Sequence, residues 1–130
     1  MTLEPGPMTV VRGAFSTKAE VFDDLKSLGF WPMTYVSERM QELPLHWHDF
    51  DDVGYVLEGH TYVLNEKSER VEFGPGDKLI LPRGAIHAEG EVAERTVWIV
   101  GIPMAANFLD VFSDLKDPAT SPLVAHDQSS

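Results

Sequence analysis

Cysteine is absent from this sequence of 130 residues. Its absence excludes disulfide bonds, thiolate nucleophiles and cysteine-ligated zinc sites. Basic residues are scarce as well, since 10 Lys and Arg stand against 21 Asp and Glu and give a formal net charge of -11. Binding to phosphate groups needs clustered Lys and Arg, so this charge argues against nucleic acid and anionic membrane surfaces as partners.

The sequence also lacks a long apolar run. No segment approaches the roughly 20 apolar residues that cross a bilayer as a helix. Residues 1–13 do not show the basic start and apolar core of a secretory signal. We therefore expect a cytoplasmic protein. With 130 residues, 43% of them hydrophobic, the chain suffices for one compact domain and is too short for two.

The spacing of the apolar residues divides the chain into four predicted segments. Residues 1–30 are expected to form an N-terminal extension with a short helix, because Thr17 and Glu20 have capping-box spacing and Gly29 stands where a helix would end. From about Trp31 the period changes to two, and short strand-like runs alternate with turn residues over residues 31–104. Because no helix separates them, these strands predict an antiparallel sandwich or barrel.

The C-terminal part of the chain has a different pattern. Residues 105–116 are predicted to form an amphipathic helix that closes the domain and buries Phe108, Leu109, Phe112 and Leu115. Residues 117–130 are rich in Pro and Ser, and we expect them to form a flexible tail.

Two of the five histidines stand one residue apart in the stretch PLHWHDFDDVGYVLEG, residues 44–59. Residues i and i+2 point the same way on a strand and nearly opposite ways on a helix. Pro44 before the pair and the period-two run after it favour the extended form. His46 and His48 would then both reach a single metal ion, at about 2.0–2.1 Å.

Two further residues could complete a metal site. Asp52 offers a carboxylate four positions after His48, and His87, in the stretch LPRGAIHAEG, offers a third imidazole from a distant strand. Three histidines and a carboxylate suit a divalent first-row transition metal. Taken alone, the His-x-His pair is weak support, because surface strands carry such pairs by chance.

In these motifs the sequence resembles the cupin superfamily of small β-barrels. The first family motif, a His-x-His, a Glu and a closing Gly, corresponds to His46, His48, Asp52 and Gly59. The second, a Gly, a Pro, a Gly, a His and an Asn at set spacing, corresponds to Gly76, Pro82, Gly84, His87 and Glu91. The resemblance implies an all-β fold, an antiparallel β-barrel of the jelly-roll type.

The sequence departs from the family pattern at Asp52, where the family has Glu. Aspartate is one methylene shorter, so its carboxylate can end short of the metal unless the backbone moves inward. Two outcomes stay open: Asp52 binds the metal directly, which we favour, or it binds through a water and leaves a three-histidine site. Asp49 and Asp51 are expected to be exposed turn residues.

A substrate pocket is predicted beside the metal. If Asp52 points inward, alternation turns Gly54 and Val56 inward too. Gly54 would either leave room for a ligand or mark a bulge. Tyr35 and Trp98 could line the pocket with an apolar wall and a polar tip, or belong to the ordinary core.

Two functions remain open on the sequence alone. The first, which we favour, is a small metalloenzyme acting on a small organic molecule, with Glu89, Glu91 or Tyr35 as acid–base candidates. The resemblance implies a dioxygenase if the metal is Fe, and an isomerase, decarboxylase or lyase if it is Mn, Ni or Zn; the residues do not choose among Fe, Mn, Ni, Zn and Cu. The alternative is a non-catalytic ligand-binding or sensing protein with a structural metal.

A homodimer is the expected oligomeric state. The predicted C-terminal helix, the N-terminal segment and a strand that is apolar on both faces offer more hydrophobic surface than a small barrel hides alone. The resemblance points the same way, since cupins are often homodimers.

Overall fold

The computed structural model describes residues 2–111 and 113–124. It contains one α-helix, α1 (Lys18–Leu28), and eight strands within these residues. The strands are β1 (Thr9–Val11), β2 (Trp31–Ser37), β3 (Asp52–Glu58), β4 (Thr61–Leu64), β5 (Arg70–Phe73), β6 (Lys78–Leu81), β7 (Ala88–Glu89) and β8 (Thr96–Ile102).

The strands form two antiparallel sheets. The larger sheet has the order β1-β6-β3-β8-β2, and the smaller has the order β5-β4-β7. The all-β antiparallel fold predicted from the sequence is confirmed, in the form of two sheets and not of one continuous closed sheet. Among the described residues, no helix combines the length and the apolar character that crossing a membrane requires.

Strand β3 is buried on both faces, as its apolar residues predict. On one face Val53 and Tyr55 pack with Val21 and Leu25 of α1. On the other face Val56 belongs to the core cluster between the sheets, whose buried members are Met8, Val56, Val63, Phe73, Leu79 and Leu81. The outer face of β3 is therefore covered by α1, and its inner face lies in the barrel interior.

Helix α1 begins and ends where the sequence predicts. The Thr17 side chain accepts a hydrogen bond from the Glu20 amide, and the Glu20 side chain accepts one from the Thr17 amide, so both halves of the capping box are formed. Gly29 has a φ of 72°, in the left-handed region that ends many helices.

The C-terminal helix is shorter than predicted and of a different type. Ala105–Leu109 forms a 3-10 helix, and Leu109 is 79% exposed and not buried. Phe108 and Val111 both pack on Val100 and Ile102. Phe108 lies within the 3-10 helix and Val111 in the turn that follows it, so the helix and its turn together cover this cluster. Leu115 is half-buried, and Phe112 lies outside the described residues.

The predicted flexible tail is packed in its first part. Pro118–Thr120 forms a second 3-10 helix, and Trp47 Nε1 donates to the Asp117 carbonyl and to Thr120 Oγ1, each at 3.0 Å. Ser121 Oγ donates to the Gly84 carbonyl at 2.5 Å. Residues 125–130, with His126, lie outside the described residues. The segment thus covers the turn that precedes His87.

Candidate metal centre

The candidate site is built on a short antiparallel contact between two distant segments. The backbone amides of His46 and His87 each donate to the carbonyl of the other residue at 2.9 Å. His48 follows His46 by two residues, and its carbonyl accepts from the Gly84 amide at 3.0 Å. Since alternate residues of an extended segment share a side, both imidazoles turn towards His87.

The three rings meet inside the domain and form the histidine cluster (His46, His48 and His87). Their centroids lie 5.0 Å apart for His46 and His48, 4.4 Å for His46 and His87, and 5.3 Å for His48 and His87. One nitrogen from each ring lies within 4.8 Å of the others, and all three residues are buried. The structure thus brings together the three histidines that the sequence singles out.

Backbone carbonyls hold two of these rings in place. His46 Nδ1 lies 2.7 Å from the Pro44 carbonyl, and His87 Nδ1 lies 3.0 Å from the Ala85 carbonyl. A carbonyl only accepts, so each Nδ1 carries the proton and the Nε2 of the neutral ring presents a lone pair. Histidines that bind metals in proteins are oriented in this way.

His48 has no comparable support. Both of its ring nitrogens are buried without a hydrogen-bond partner in the part of the chain that the structure describes. The ring stacks on Phe50, with centroids 5.0 Å apart and an angle of 18° between the planes. An unpartnered buried polar group costs about 1–3 kcal/mol, so this imidazole is placed for a partner that the described residues do not supply.

The surroundings shift the pKa values of two of these histidines in opposite directions. Burial, followed by the charges of His87 and His46, lowers the pKa of His48 to about 3. Burial also acts to lower the pKa of His46, but the Glu89 carboxylate outweighs it and the pKa is raised. The His48 ring is therefore neutral near pH 7, as a metal ligand must be.

Glu89 is the acidic residue that contacts the cluster. Its Oε2 lies 3.0 Å from His87 Nε2, and its Oε1 lies 3.3 Å from His46 Nε2. Burial acts to raise the pKa of Glu89, but His87 and His46 outweigh it, so the pKa is lowered and the group is a carboxylate. From the sequence, Glu89 is only an acid–base candidate. The signal that could have placed it here is its spacing of two residues from His87 on a strand.

Asp52 lies nearby without joining the cluster. It is the first residue of β3, is 5% exposed, and faces the barrel interior. Among the described residues, the group whose ligand atoms all lie within 4.8 Å of one another contains the three histidines and neither Asp52 nor Glu89. Burial, with a further contribution from the Glu89 charge, raises the pKa of Asp52 well above its usual range. Direct coordination by Asp52 stays a prediction, and the position of Glu89 competes with it.

A cavity of about 40 Å³ lies between the two sheets beside these carboxyl groups. Its polar lining includes Tyr35, Asp52, Glu89 and Thr96, and most of the remaining wall is apolar. The Thr96 hydroxyl is buried without a hydrogen-bond partner among the described residues. Because a single water needs roughly 10–15 Å³ of such volume, the cavity holds a few water molecules or a very small ligand.

Three of the four predicted pocket residues line this cavity, namely Tyr35, Gly54 and Trp98. Val56 does not line it, because its side chain is enclosed in the core cluster between the sheets. The room predicted above Gly54 is filled, since a Cβ there would lie 2.9 Å from the Trp98 ring. Gly54 therefore makes space for an indole and not for a ligand.

The aspartates between the two motifs have structural contacts. Asp51 is buried and not exposed as predicted, and its carboxylate accepts from the amides of Leu3 and Arg83, each at 2.9 Å. Asp49 is ion-paired with the Arg83 side chain. These contacts tie the N-terminal segment and the turn before His87 to the chain that follows His48.

Comparison with known proteins agrees with the geometry. Residues 36–100, half of the chain, match the model of the cupin domain family. This range contains the histidine cluster, Asp52 and Glu89. No curated protein matches the sequence.

Solved structures with similar folds share little sequence identity with this chain. A DUF861 family protein from Thermotoga maritima has a TM-score of 0.52 at 17% identity, covering 73% of this chain and 98% of its own. A cupin-2 domain protein from Shewanella frigidimarina has a TM-score of 0.50 at 20% identity, covering 64% and 92%. The DMSP lyase DddQ from Ruegeria pomeroyi has a TM-score of 0.51 at 21% identity, covering 59% and 39%. At these identities the likeness establishes the fold alone.

Proposed function

The chain belongs to the cupin domain family, and from this membership we propose that it is a small metalloenzyme that binds one divalent first-row transition metal through the histidine cluster. The ion would be Fe, Mn, Ni, Zn or Cu, because imidazole suits all of these metals. Its substrate would be a small organic molecule held in the barrel.

The observation that carries this proposal is the set of buried nitrogens without partners. His46 Nε2, His87 Nε2 and both nitrogens of His48 are buried and make no aligned hydrogen bond among the described residues. Native proteins rarely leave buried polar atoms unsatisfied. A metal ion that accepted these lone pairs would remove the cost of burying them, so the residues present fit the group.

The chain's own residues would bind and orient the substrate. A bound metal would supply Lewis-acid catalysis or oxygen activation. The apolar wall of the cavity would exclude water, while Tyr35 and Thr96 would donate hydrogen bonds to an acceptor oxygen on the substrate. Asp52, whose pKa is raised by burial, would be a further hydrogen-bonding group on this wall. The substrate class is therefore a small, largely apolar molecule with a carbonyl or carboxylate group.

Dioxygenase, isomerase and lyase chemistry are all compatible with this site. One protein of similar fold is named as a DMSP lyase, and its identity of 21% does not transfer that substrate to this chain.

A second candidate function is a non-catalytic ligand-binding or sensing protein in which the metal joins the two segments. The small size of the cavity, about 40 Å³, favours this alternative, since it leaves little room for a substrate unless the barrel opens.

The first experiment is elemental analysis of the protein purified without a histidine tag, followed by an oxygen-consumption screen after loading with Fe(II). We expect about one metal ion per chain in the wild type and in the control His60→Ala, since His60 is exposed, and strong loss in His48→Ala. Wild-type protein that binds no metal would refute the metalloenzyme. Bound metal with no exchangeable water would favour the structural alternative.

A homodimer and a cytoplasmic location stay predictions. Strand β2 lies at the edge of the larger sheet, and Trp31 and Val36 on it are 58% and 45% exposed. An exposed apolar edge strand favours pairing with a second copy. Light scattering behind a sizing column would test it, with Trp31→Ser expected to shift the mass to that of a monomer.

A further inference from the structure

Glu89 occupies a fixed position next to the histidine cluster. It is the last residue of β7 and follows His87, which lies just before the strand, by two residues; since alternate residues of an extended segment share a side, both side chains lie on the same side. Its backbone is held from two sides, because Glu89 pairs with Val63 of β4 and its carbonyl accepts from the Leu43 amide at 3.0 Å. The side chain is 16% exposed, and Oε1 is buried without a hydrogen-bond partner among the described residues.

The contacts of this carboxylate are not ordinary hydrogen bonds. Oε1 lies 3.3 Å from His46 Nε2 and Oε2 lies 3.0 Å from His87 Nε2, yet neither nitrogen is aligned to donate. In the neutral form of each ring, which is the form that binds a metal, the proton lies on Nδ1 and is directed at a backbone carbonyl. Lone pairs of oxygen and nitrogen thus face each other, an arrangement that a cation between them would make attractive.

The distances agree with ligands that share one ion. Two atoms bound to the same metal at about 2.0–2.2 Å lie roughly 2.8–3.6 Å apart at the 90° and 109° angles of octahedral and tetrahedral sites. The two observed separations, 3.0 and 3.3 Å, fall in this range. The distances of Glu89 to His46 and His87 are therefore those of neighbouring ligands, although no single oxygen of Glu89 lies within 4.8 Å of a ligand nitrogen of all three histidines.

Asp52 does not show this geometry. It starts β3 opposite Leu81 of β6, on the wall of the cavity, and it is absent from the ion pairs that Glu89 forms with the cluster. Its place in the chain corresponds to the carboxylate of the first motif, but its position in the fold is beside the site.

We propose that Glu89 supplies the fourth protein ligand of the metal and that Asp52 remains an uncoordinated wall residue of the cavity. This inference rests on the proposed metal-binding function. It moves the carboxylate ligand from the segment that follows His46 and His48 to the segment that carries His87. The space beside Asp52 would then be left for substrate.

The test compares metal affinity of matched variants by a method that needs no activity. Chelator-treated wild type, Glu89→Gln, Asp52→Asn and Glu91→Gln are titrated with Co(II), with calorimetry and the visible absorption of the bound ion as readouts. Each change replaces one carboxyl by an amide of the same size, and Glu91 is exposed, so it serves as control. Circular dichroism of the metal-free proteins checks the fold.

We expect Glu89→Gln to weaken Co(II) binding at least about 10–100-fold, the range found for removal of supporting groups around a metal, and to change the absorption spectrum. Asp52→Asn and Glu91→Gln should bind as the wild type does. Loss of binding in Asp52→Asn would overturn the inference even if Glu89→Gln failed to fold. Unchanged binding in a folded Glu89→Gln would also overturn it, while the three-histidine site would stand. Wild type that binds no metal would instead refute the proposed function.

Discussion

Replacement of His48 by phenylalanine should stabilise the metal-free protein while it abolishes metal binding. The new ring keeps the stacking on Phe50, whose centroid lies 5.0 Å away, and removes two buried nitrogens that have no partner among the described residues. An unsatisfied buried polar group costs about 1–3 kcal/mol. We therefore expect a gain of about 1–3 kcal/mol in the free energy of unfolding, or roughly 3–10 °C in Tm for a chain of this size.

In excess metal the wild type should become more stable than His48→Phe. A ligand at a hundred times its Kd stabilises the folded state by about 2.7 kcal/mol. The wild type would gain this stabilisation from the metal, whereas His48→Phe, which is expected not to bind metal, would not. The assay is denaturant unfolding followed by circular dichroism, once with chelator and once with Zn(II) in excess. His60→Phe is the control, and since His60 is exposed its effect should stay within about 0.5 kcal/mol.

The result that would refute this reasoning is a His48→Phe protein that is less stable than the wild type in chelator. His48 would then contribute ordinary packing or a hydrogen bond to the metal-free fold, and its unpartnered nitrogens would no longer indicate a ligand. A wild-type Tm that does not respond to any divalent metal would contradict the second half of the prediction.

Three further predictions concern the scaffold around the site. Asp77 accepts from the amides of Gly74 and Gly13 at 2.9 and 3.0 Å, and although burial acts to raise the pKa of Asp77, these bonds and Arg12 lower it from 3.8. Its stabilisation is complete above the unfolded value and is lost as the pH falls through the folded one. Asp77→Asn should cost about 1–3 kcal/mol near pH 7 in urea unfolding, and a gap that persists in strong acid would contradict this. Gly101→Ala should cost about 1–3 kcal/mol by the same measurement, since a Cβ there would overlap the Leu25 methyl of α1, and unchanged stability would show that the helix can shift at no cost. Trp47→Phe removes the bonds to Asp117 and Thr120, so limited proteolysis should cleave residues 117–124 faster than in the wild type, and equal rates would mean that packing alone holds them.

The sequence was sufficient to predict most of the strands after Trp31 and the shared side of His46 and His48, but not β1 (Thr9–Val11), which lies in the segment expected to hold only a helix. Alternation on an extended chain requires His46 and His48 to share a side, and the turn residues around Pro82 and Gly84 indicate that the segment carrying His87 returns towards the barrel interior. The capping box of Thr17 and Glu20 likewise predicts a helix from local chemistry alone. Each of these conclusions depends on neighbours within a few positions.

The carboxylate ligand was less accessible to such reasoning. Motif spacing points to Asp52, and Asp52 does reach the barrel interior, but the contact with the rings belongs to Glu89. Which carboxylate meets the cluster depends on where β3 begins relative to the bridge between His46 and His87. That offset is set by pairing between residues far apart in the sequence.

In the pocket and the C-terminal helix too, the tertiary structure decided features that the sequence alone did not. Gly54 is an open position by sequence, yet the ring of Trp98 from β8 fills it. The 105–109 segment has an amphipathic pattern, but it forms a 3-10 helix in which Phe108 packs on Val100 and Ile102 and Leu109 is exposed. The amino-acid order alone determined residue type and alternation, and these decide the side of a strand on which each side chain lies. Only the packed sheets decided how far apart those groups stand, because strand register and core volume are properties of contacts between distant segments.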